Sequence, residues 1–197
     1  MNRLFFDNTI GALIEKMHTK EISPVAVLAA SLENIAEFQP RFFPFEVFRD
    51  GAWKPREPRP PMDGPRTKEA LFADIPIAVK DMYNTYDFPT QMGSPLWKGF
   101  EPGNDARAVY HLKHQGAVIV GKTVTAEFAV HALDKTLNPW DVTKGPGTSS
   151  SGSAVAVALG IVPFATGTQT AGSIVRPSSF CGVYGCKPSF GTIPRTG

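Results

Sequence analysis

IPIAV, residues 75–79, is a short apolar run followed directly by Lys80, and it predicts a buried β-strand. A second run, AVIV at residues 117–120, predicts another buried strand, which we expect to stop at Gly121. VPFAT, at residues 162–166, is a third strand candidate. Strands that are apolar throughout are typical of a parallel sheet that is covered on both faces.

Helical patterns separate these strands. Residues 105–114 predict a helix with Asp105 as its N-cap and Gly116 just past its end. Residues 153–159 are small and apolar on every side, as in a centrally packed helix. The order of the elements therefore predicts an α/β fold over residues 69–197.

The part of the chain before this core divides into two segments by composition. Residues 1–50 are predicted to be helical, because apolar residues recur at helical spacing and Ser23 before Pro24 is a typical helix start. Residues 51–68 are dense in proline, which predicts a surface loop. A polyproline ligand for a partner protein is the alternative for that segment.

Composition excludes several classes of protein. The chain has 197 residues with a formal net charge of +2, too balanced to favour nucleic acid or an anionic membrane as the main partner. Its longest apolar run is shorter than the roughly 18 to 20 residues of a membrane span, and its N-terminus does not resemble a signal peptide. Cys181 and Cys186 are interpreted as reduced core thiols. We therefore expect a cytoplasmic protein.

Two stretches rich in glycine, serine and threonine lie beside apolar segments. They are GPGTSSSGS at residues 145–153 and GTQTAGS at residues 167–173. Neither has the pattern of a phosphate-binding loop. A flexible linker is the alternative for the first, although an apolar helix follows it at once. The second stretch could direct several backbone N–H groups at one point, which is what an oxyanion requires.

Ser173 ends the second stretch and is a candidate nucleophile, which needs a base. None of the four histidines has a recognisable triad context. Lys80 is the other candidate base, because a lysine at the end of a buried strand loses solvation and its pKa falls toward neutrality. A surface lysine with a buried stem is the alternative for Lys80.

Three motifs together resemble the amidase signature family. They are IAVKD at residues 77–81, GTSSSGSA at residues 147–154 and TQTAGSI at residues 168–174. The resemblance runs from about residue 10 to residue 197, and it is specific because three separate motifs occur in order. It implies a mixed, largely parallel twisted sheet flanked by helices, incomplete at its C-terminus.

The resemblance also implies an amidohydrolase with a Ser–Ser–Lys triad. Ser173 matches the nucleophile, Lys80 matches the base, and Ser149 matches the bridging serine, which follows a cis peptide bond in the family. The implied oxyanion donors are the backbone N–H groups of Thr170, Ala171, Gly172 and Ser173. The implied supporting residues are Thr148, Ser150 and Gln169.

The motifs differ from the commoner sequences of the family motifs at several positions. Thr148 and Ser151 replace two glycines, Gln169 replaces an acid, Ala171 replaces a glycine, and Arg176 lies one position later than usual. None of these changes removes a triad side chain. They indicate a divergent subgroup and weaken an interpretation as the amidotransferase component that amidates charged tRNA.

Length is the largest departure, because family domains run to more than twice this chain. We therefore expect the N-terminal portion of a single amidase domain. Three functions stay open: an amidohydrolase, a truncated non-catalytic fragment or scaffold subunit, and an amidotransferase-type A subunit that needs partners. A generic α/β domain that binds an anion on its glycine loops is a further alternative.

The amidohydrolase interpretation implies a small-molecule amide as substrate and neither a metal nor an organic cofactor. It implies no nucleic acid and no membrane as partners. The oligomeric state stays open, with a homodimer as one outcome, since an incomplete sheet would expose an unpaired edge.

Overall fold

Residues 1–50, 70–130, 132 and 134–196 are described by a computed structural model of the chain. The proline-rich segment predicted as a surface loop, residues 51–68, lies outside the described residues, as does His131. None of the described helices is both long and apolar enough to span a membrane.

The N-terminal region is mostly helical, as predicted. It forms α1 (Leu4–Asp7), α2 (Ile10–His18) and α3 (Pro24–Phe42). The Ser23 hydroxyl accepts a hydrogen bond from the Ala26 N–H, which confirms the predicted start of α3. The end of this predicted helical region differs from the prediction, since Phe45–Phe48 form strand β1. Phe43, in a left-handed conformation with φ of 52°, ends α3 and lets the chain turn into that strand.

Within the described residues, the sheet has three strands in the order β1-β3-β2, with β2 at Pro76–Lys80 and β3 at Val118–Thr123. β2 and β3 run parallel, and β1 pairs with β3 in the antiparallel direction. The α/β fold with a mixed sheet is thus confirmed. In the parallel pair Lys80 lies opposite Thr123, so both strands deliver their carboxyl ends to the same edge.

Two strand predictions were wrong in their extent. Gly121 does not stop β3, because the strand continues to Thr123. A side chain at Gly121 would lie 2.5 Å from the Val47 carbonyl oxygen, so glycine lets β1 approach β3 at this point. The third candidate, residues 162–166, contributes only a single parallel bridge from Ala165 to Ala78.

The other α-helices in the described part of the chain are α4 (Arg107–His114), α5 (Ser151–Ala158) and α6 (Val175–Cys181). Short 3₁₀ turns lie at Pro95–Trp97 and Glu127–Ala129. Asp105 was wrongly predicted as the N-cap of α4, since its carboxylate instead accepts hydrogen bonds from the Tyr86 N–H and the Lys113 amine. The prediction of two core thiols holds for Cys181, which is buried, and is wrong for Cys186, which is exposed.

Two hydrophobic clusters cover the two faces of the sheet. Ala78 and Val120 face the cluster that α3 and α5 complete, whereas Ile77, Val79 and Ile119 face the cluster that α2 and α4 complete. This division follows from the alternation of side chains along a strand. The backbone of β2 is therefore buried between two helical layers, and Lys80 is carried to the end of that buried strand.

A buried ion pair joins the ends of the two parallel strands. The Lys122 amine lies 3.0 Å from the Asp81 carboxylate, and neither side chain has more than 1% of its surface exposed. The same amine donates to the Pro89 carbonyl oxygen and to the Thr90 hydroxyl, while Asp81 accepts from the Gln91 N–H. Burial lowers the pKa of Lys122 to about 8, and Asp81 opposes that change. The pair thus holds residues 89–91 beside the end of β2, next to Lys80.

We expect Asp81→Asn to lower the free energy of unfolding by roughly 3 to 5 kcal/mol, because it leaves the Lys122 charge buried without its partner. The double variant Asp81→Asn/Lys122→Met should lose much less than the sum of the two single changes. Urea denaturation of the unaltered chain, Asp81→Asn, Lys122→Met and the double variant measures this coupling. The exposed Asp141→Asn is the control. Additive single and double losses would show that the pair is not an energetic unit.

Candidate active site

Lys80 has no exposed surface, and its amine contacts three hydroxyl groups. Nζ lies 2.7 Å from Ser149 Oγ, 2.9 Å from Ser150 Oγ and 2.7 Å from Thr168 Oγ1. The three partners come from both glycine- and serine-rich stretches of the sequence. The structure therefore brings the predicted base and the predicted bridging serine into direct contact.

The position of Thr168 follows from the pairing at the free edge of β2. The Ala78 N–H donates to the Phe164 carbonyl oxygen, and the Thr166 N–H donates to the Ala78 carbonyl oxygen. One step further along, the Lys80 N–H donates to the Thr166 hydroxyl at 3.0 Å. This short parallel run directs the chain past the end of β2, so that Thr168 reaches the lysine amine.

Burial lowers the pKa of Lys80 to about 7, and the charge of Asp134 opposes that change. An ordinary lysine is almost fully protonated at neutral pH, whereas a lysine with this pKa is neutral about half of the time there. Neutral Lys80 has a lone pair available 2.7 Å from a serine hydroxyl. It can therefore act as a base at physiological pH.

Ser149 lies in a tight turn that leads into α5, and the Thr148–Ser149 peptide bond is cis. The Ser149 carbonyl oxygen accepts a hydrogen bond from the Ala126 N–H. The helix start is packed directly on backbone, since a side chain at Gly152 would lie 2.2 Å from the Pro44 carbonyl oxygen. Ser149 itself has no exposed surface, and its hydroxyl oxygen is in contact with the Lys80 amine.

Ser173 is joined to this turn through its backbone. Its carbonyl oxygen accepts a hydrogen bond from the Ser150 N–H at 3.2 Å. Its hydroxyl has no hydrogen-bond partner among the residues that the structure describes, and the residue is partly exposed. The structure thus brings Ser173 beside the Ser149–Ser150 turn without a hydrogen bond between the Ser149 and Ser173 hydroxyls.

Gln169 closes the loop that carries Ser173. Its side-chain oxygen accepts hydrogen bonds from the Ile174 N–H at 2.8 Å and from the Val175 N–H at 3.0 Å. Within the described part of the chain, the backbone N–H groups of residues 170–173 donate to no other group. Four adjacent donors are therefore available on a loop whose two ends are tied together.

Sequence reasoning missed three residues that shape this site. Thr168 contacts the lysine amine, Thr166 accepts from the lysine N–H, and the Tyr83 hydroxyl donates to the Gly167 carbonyl oxygen at 2.9 Å. Thr168 lies inside the motif at residues 168–174, so its hydroxyl could have been predicted from the sequence to belong to the site. Thr166 and Tyr83 are recognised only when β2 and the 164–168 segment lie side by side.

A largely apolar cavity of about 750 Å³ begins at Ser150 and extends along α5. Its walls include Tyr83, Val157, Phe164 and Tyr184. It is large enough to hold a small organic molecule. Among the described residues, no group of three His, Cys, Asp or Glu side chains is placed to hold a metal ion.

Comparisons with known proteins found relatives that match almost the whole chain. The A subunit of the glutamyl-tRNA(Gln) amidotransferase of Rhodopirellula baltica is 40% identical over 195 residues, which cover 94% of this chain and 38% of the relative. The crystal structure of its counterpart from Thermotoga maritima has a TM-score of 0.82 at 33% identity and covers 98% of this chain and 41% of that one. The native peptide amidase from Stenotrophomonas maltophilia has a TM-score of 0.84 at 29% identity, with coverages of 98% and 42%.

The chain thus spans about two fifths of the length of the relatives that it matches. A family model described as amidase matches residues 26–197, which is most of the chain. The chain therefore belongs to the amidase family and corresponds to the N-terminal portion of its fold.

Proposed function

We propose that this chain carries the catalytic groups of an amidohydrolase that cleaves a carboxylic amide C–N bond. The observation that carries the proposal is the buried contact of 2.7 Å between the Lys80 amine and the Ser149 hydroxyl. Burial makes neutral lysine accessible near pH 7, and Ser173 lies beside the same turn. Lys80, Ser149 and Ser173 are the proposed catalytic triad.

The proposed reaction uses these groups in sequence. Neutral Lys80 accepts a proton from Ser149, which accepts one from Ser173, and Ser173 attacks the amide carbonyl carbon. The tetrahedral oxyanion is held by backbone N–H groups of residues 170–173. Ser149 then returns a proton to the leaving amine, and water hydrolyses the acyl-enzyme to release the acid.

An amidotransferase-type A subunit is the second candidate function. It is favoured by the identity of up to 40% with relatives that are named as the A subunit of glutamyl-tRNA(Gln) amidotransferase. In that case the ammonia released by amide cleavage would pass to a partner rather than to solvent. The same triad serves both functions, so the two candidates differ in acceptor and partner and not in the first chemical step.

The chain length supports a further proposal about activity. Because the chain spans about two fifths of its relatives' length, we propose that it is a fragment whose triad is present but whose substrate pocket is incomplete. We expect the purified monomeric chain of 197 residues to show little or no amide hydrolysis. Full amidase activity from that monomer would contradict the fragment proposal.

A fluorophosphonate probe modifies activated serines. It therefore tests whether Ser173 is nucleophilic without requiring turnover of an amide substrate. We expect one label per chain on Ser173 and none in Ser173→Ala, because the variant lacks the proposed nucleophile. Intact-mass spectrometry with peptide mapping measures the label. Ser179→Ala removes an exposed serine of α6 and should label like the unaltered chain. A chain that is folded but unlabelled would favour the non-catalytic alternative.

The rate of labelling should rise with pH through a midpoint near 7, because the proposed base acts only when Lys80 is neutral. Lys80→Met should slow labelling by about 100-fold or more, as expected for the loss of a general base. Lys144→Met, at an exposed lysine, is the matched control. A flat rate from about pH 6 to 9 would exclude Lys80 as the base.

Gln169→Ala should slow labelling of Ser173 by about 100-fold, because it releases both N–H groups that close the oxyanion loop. Gln169→Glu keeps an acceptor oxygen at that position, and its Ser173 should be labelled faster than that of the alanine variant. Labelling kinetics and thermal unfolding of both variants test this expectation. Equal rates in the alanine variant and the unaltered chain would show that the side chain does not position the loop.

A further inference from the structure

Asp134 is a half-buried acid that the family motifs do not include, and it lies against the turn that leads into α5. Its carboxylate accepts a hydrogen bond from the Ser151 hydroxyl and another, at 2.9 Å, from the Thr136 N–H. Ser151 is the first residue of α5 and lies two positions after Ser149. The carboxylate therefore holds the end of the turn that presents Ser149 and Ser150 to Lys80.

The charge of Asp134 also acts on Lys80. Burial lowers the pKa of the lysine, whereas Asp134 raises it. Burial raises the pKa of Asp134 itself, and the hydrogen bonds from Ser151 and Thr136 and the charge of Lys135 oppose that change. An anion at the amino end of α5 is further favoured by the helix dipole.

Two neighbouring lysines form ion pairs with other carboxylates. Lys135 lies 2.7 Å from the Glu46 carboxylate on β1, and Lys122 on β3 lies 3.0 Å from Asp81. The groups in contact with the Lys80 amine are hydroxyls from the turn before α5 and from the 167–173 loop. Asp134 is thus placed to act on Lys80 through space and on Ser149 through Ser151.

We propose that Asp134 is a positioning residue for the Lys80–Ser149 pair, which it serves by anchoring Ser151 and by stabilising positive charge on Lys80. The inference rests on the proposed function. In the first chemical step the proton leaves Ser149 and appears on Lys80, so the amine becomes an ammonium ion in a buried site. A carboxylate nearby offsets the cost of that charge, and the proton later returns to Ser149 for the leaving amine.

Two variants distinguish the effect of the Asp134 charge from the effect of its hydrogen bond with Ser151. Asp134→Asn keeps an oxygen that can accept from Ser151 and removes the charge, whereas Ser151→Ala keeps the charge and removes the contact. The direct measurement is an NMR titration of the Lys80 side chain in the folded chain, with the signal assigned through Lys80→Met. Asp141→Asn is the control for removal of an exposed acid.

We expect the Lys80 midpoint, near 7 in the unaltered chain, to fall by roughly one pH unit in Asp134→Asn. Labelling of Ser173 should show the same shift to lower pH, with a lower maximal rate. Ser151→Ala should lower the maximal rate and leave the midpoint within a few tenths of a unit. A merely structural role for Asp134 would lower the melting temperature without moving either midpoint.

The outcomes distinguish this inference from the proposed function. A Lys80 midpoint at the ordinary value for lysine in the unaltered chain would overturn the proposed base. A midpoint near 7 that is the same in Asp134→Asn would overturn the role of Asp134 alone. Circular dichroism of each variant shows that the comparison is made between folded proteins.

Discussion

The burial of Lys80 is the constraint on which the rest of the site depends. An unpaired ammonium ion inside a protein is costly, so a lysine with no exposed surface must gain a counter-charge or lose its proton. Here the amine contacts hydroxyl groups, and its pKa is lowered to about 7. The helical layers on both faces of the sheet exclude water from β2, and the 164–168 segment closes its free edge. The α/β/α arrangement thus lowers the pKa of Lys80, which is the property that the proposed function requires of its base.

Comparison with Lys122 shows that the groups in contact with a buried lysine, and not only its burial, determine which protonation state is favoured. Both lysines are fully buried on adjacent parallel strands, and burial is the largest cause of the lowered pKa in each. Lys122, however, contacts the Asp81 carboxylate, whereas Lys80 contacts three neutral hydroxyls. The carboxylate favours the charged form of Lys122, and the resulting ion pair ties the strand to the 89–91 segment. The neutral partners of Lys80 leave both protonation states accessible.

The sequence predicted the parts of the structure that depend on local pattern. The apolar runs located β2 and β3, Ser23 located the start of α3, and the three motifs located the Lys80–Ser149 contact. Features that depend on packing between distant segments were not predictable in this way. The strand at residues 45–48 exists because β3 offers it an edge, and Asp105 binds Lys113 instead of capping α4. The acid at position 134 has no signal in the sequence, because the role proposed for it depends on where α5 begins.

Hydroxyl partners suit a lysine that must take up and release one proton without rearrangement of its surroundings. A lysine ammonium ion has three donors and no acceptor, and the hydroxyls of Ser149, Ser150 and Thr168 can each accept one of them. The neutral amine has two donors and one lone pair, and a hydroxyl can turn to donate to that lone pair. A carboxylate in the same place could only accept, so one of the two states would leave a buried group unsatisfied. Three hydroxyls around a buried amine therefore satisfy both states with the same heavy-atom positions, and a proton can pass to Lys80 and back at little cost in reorganisation.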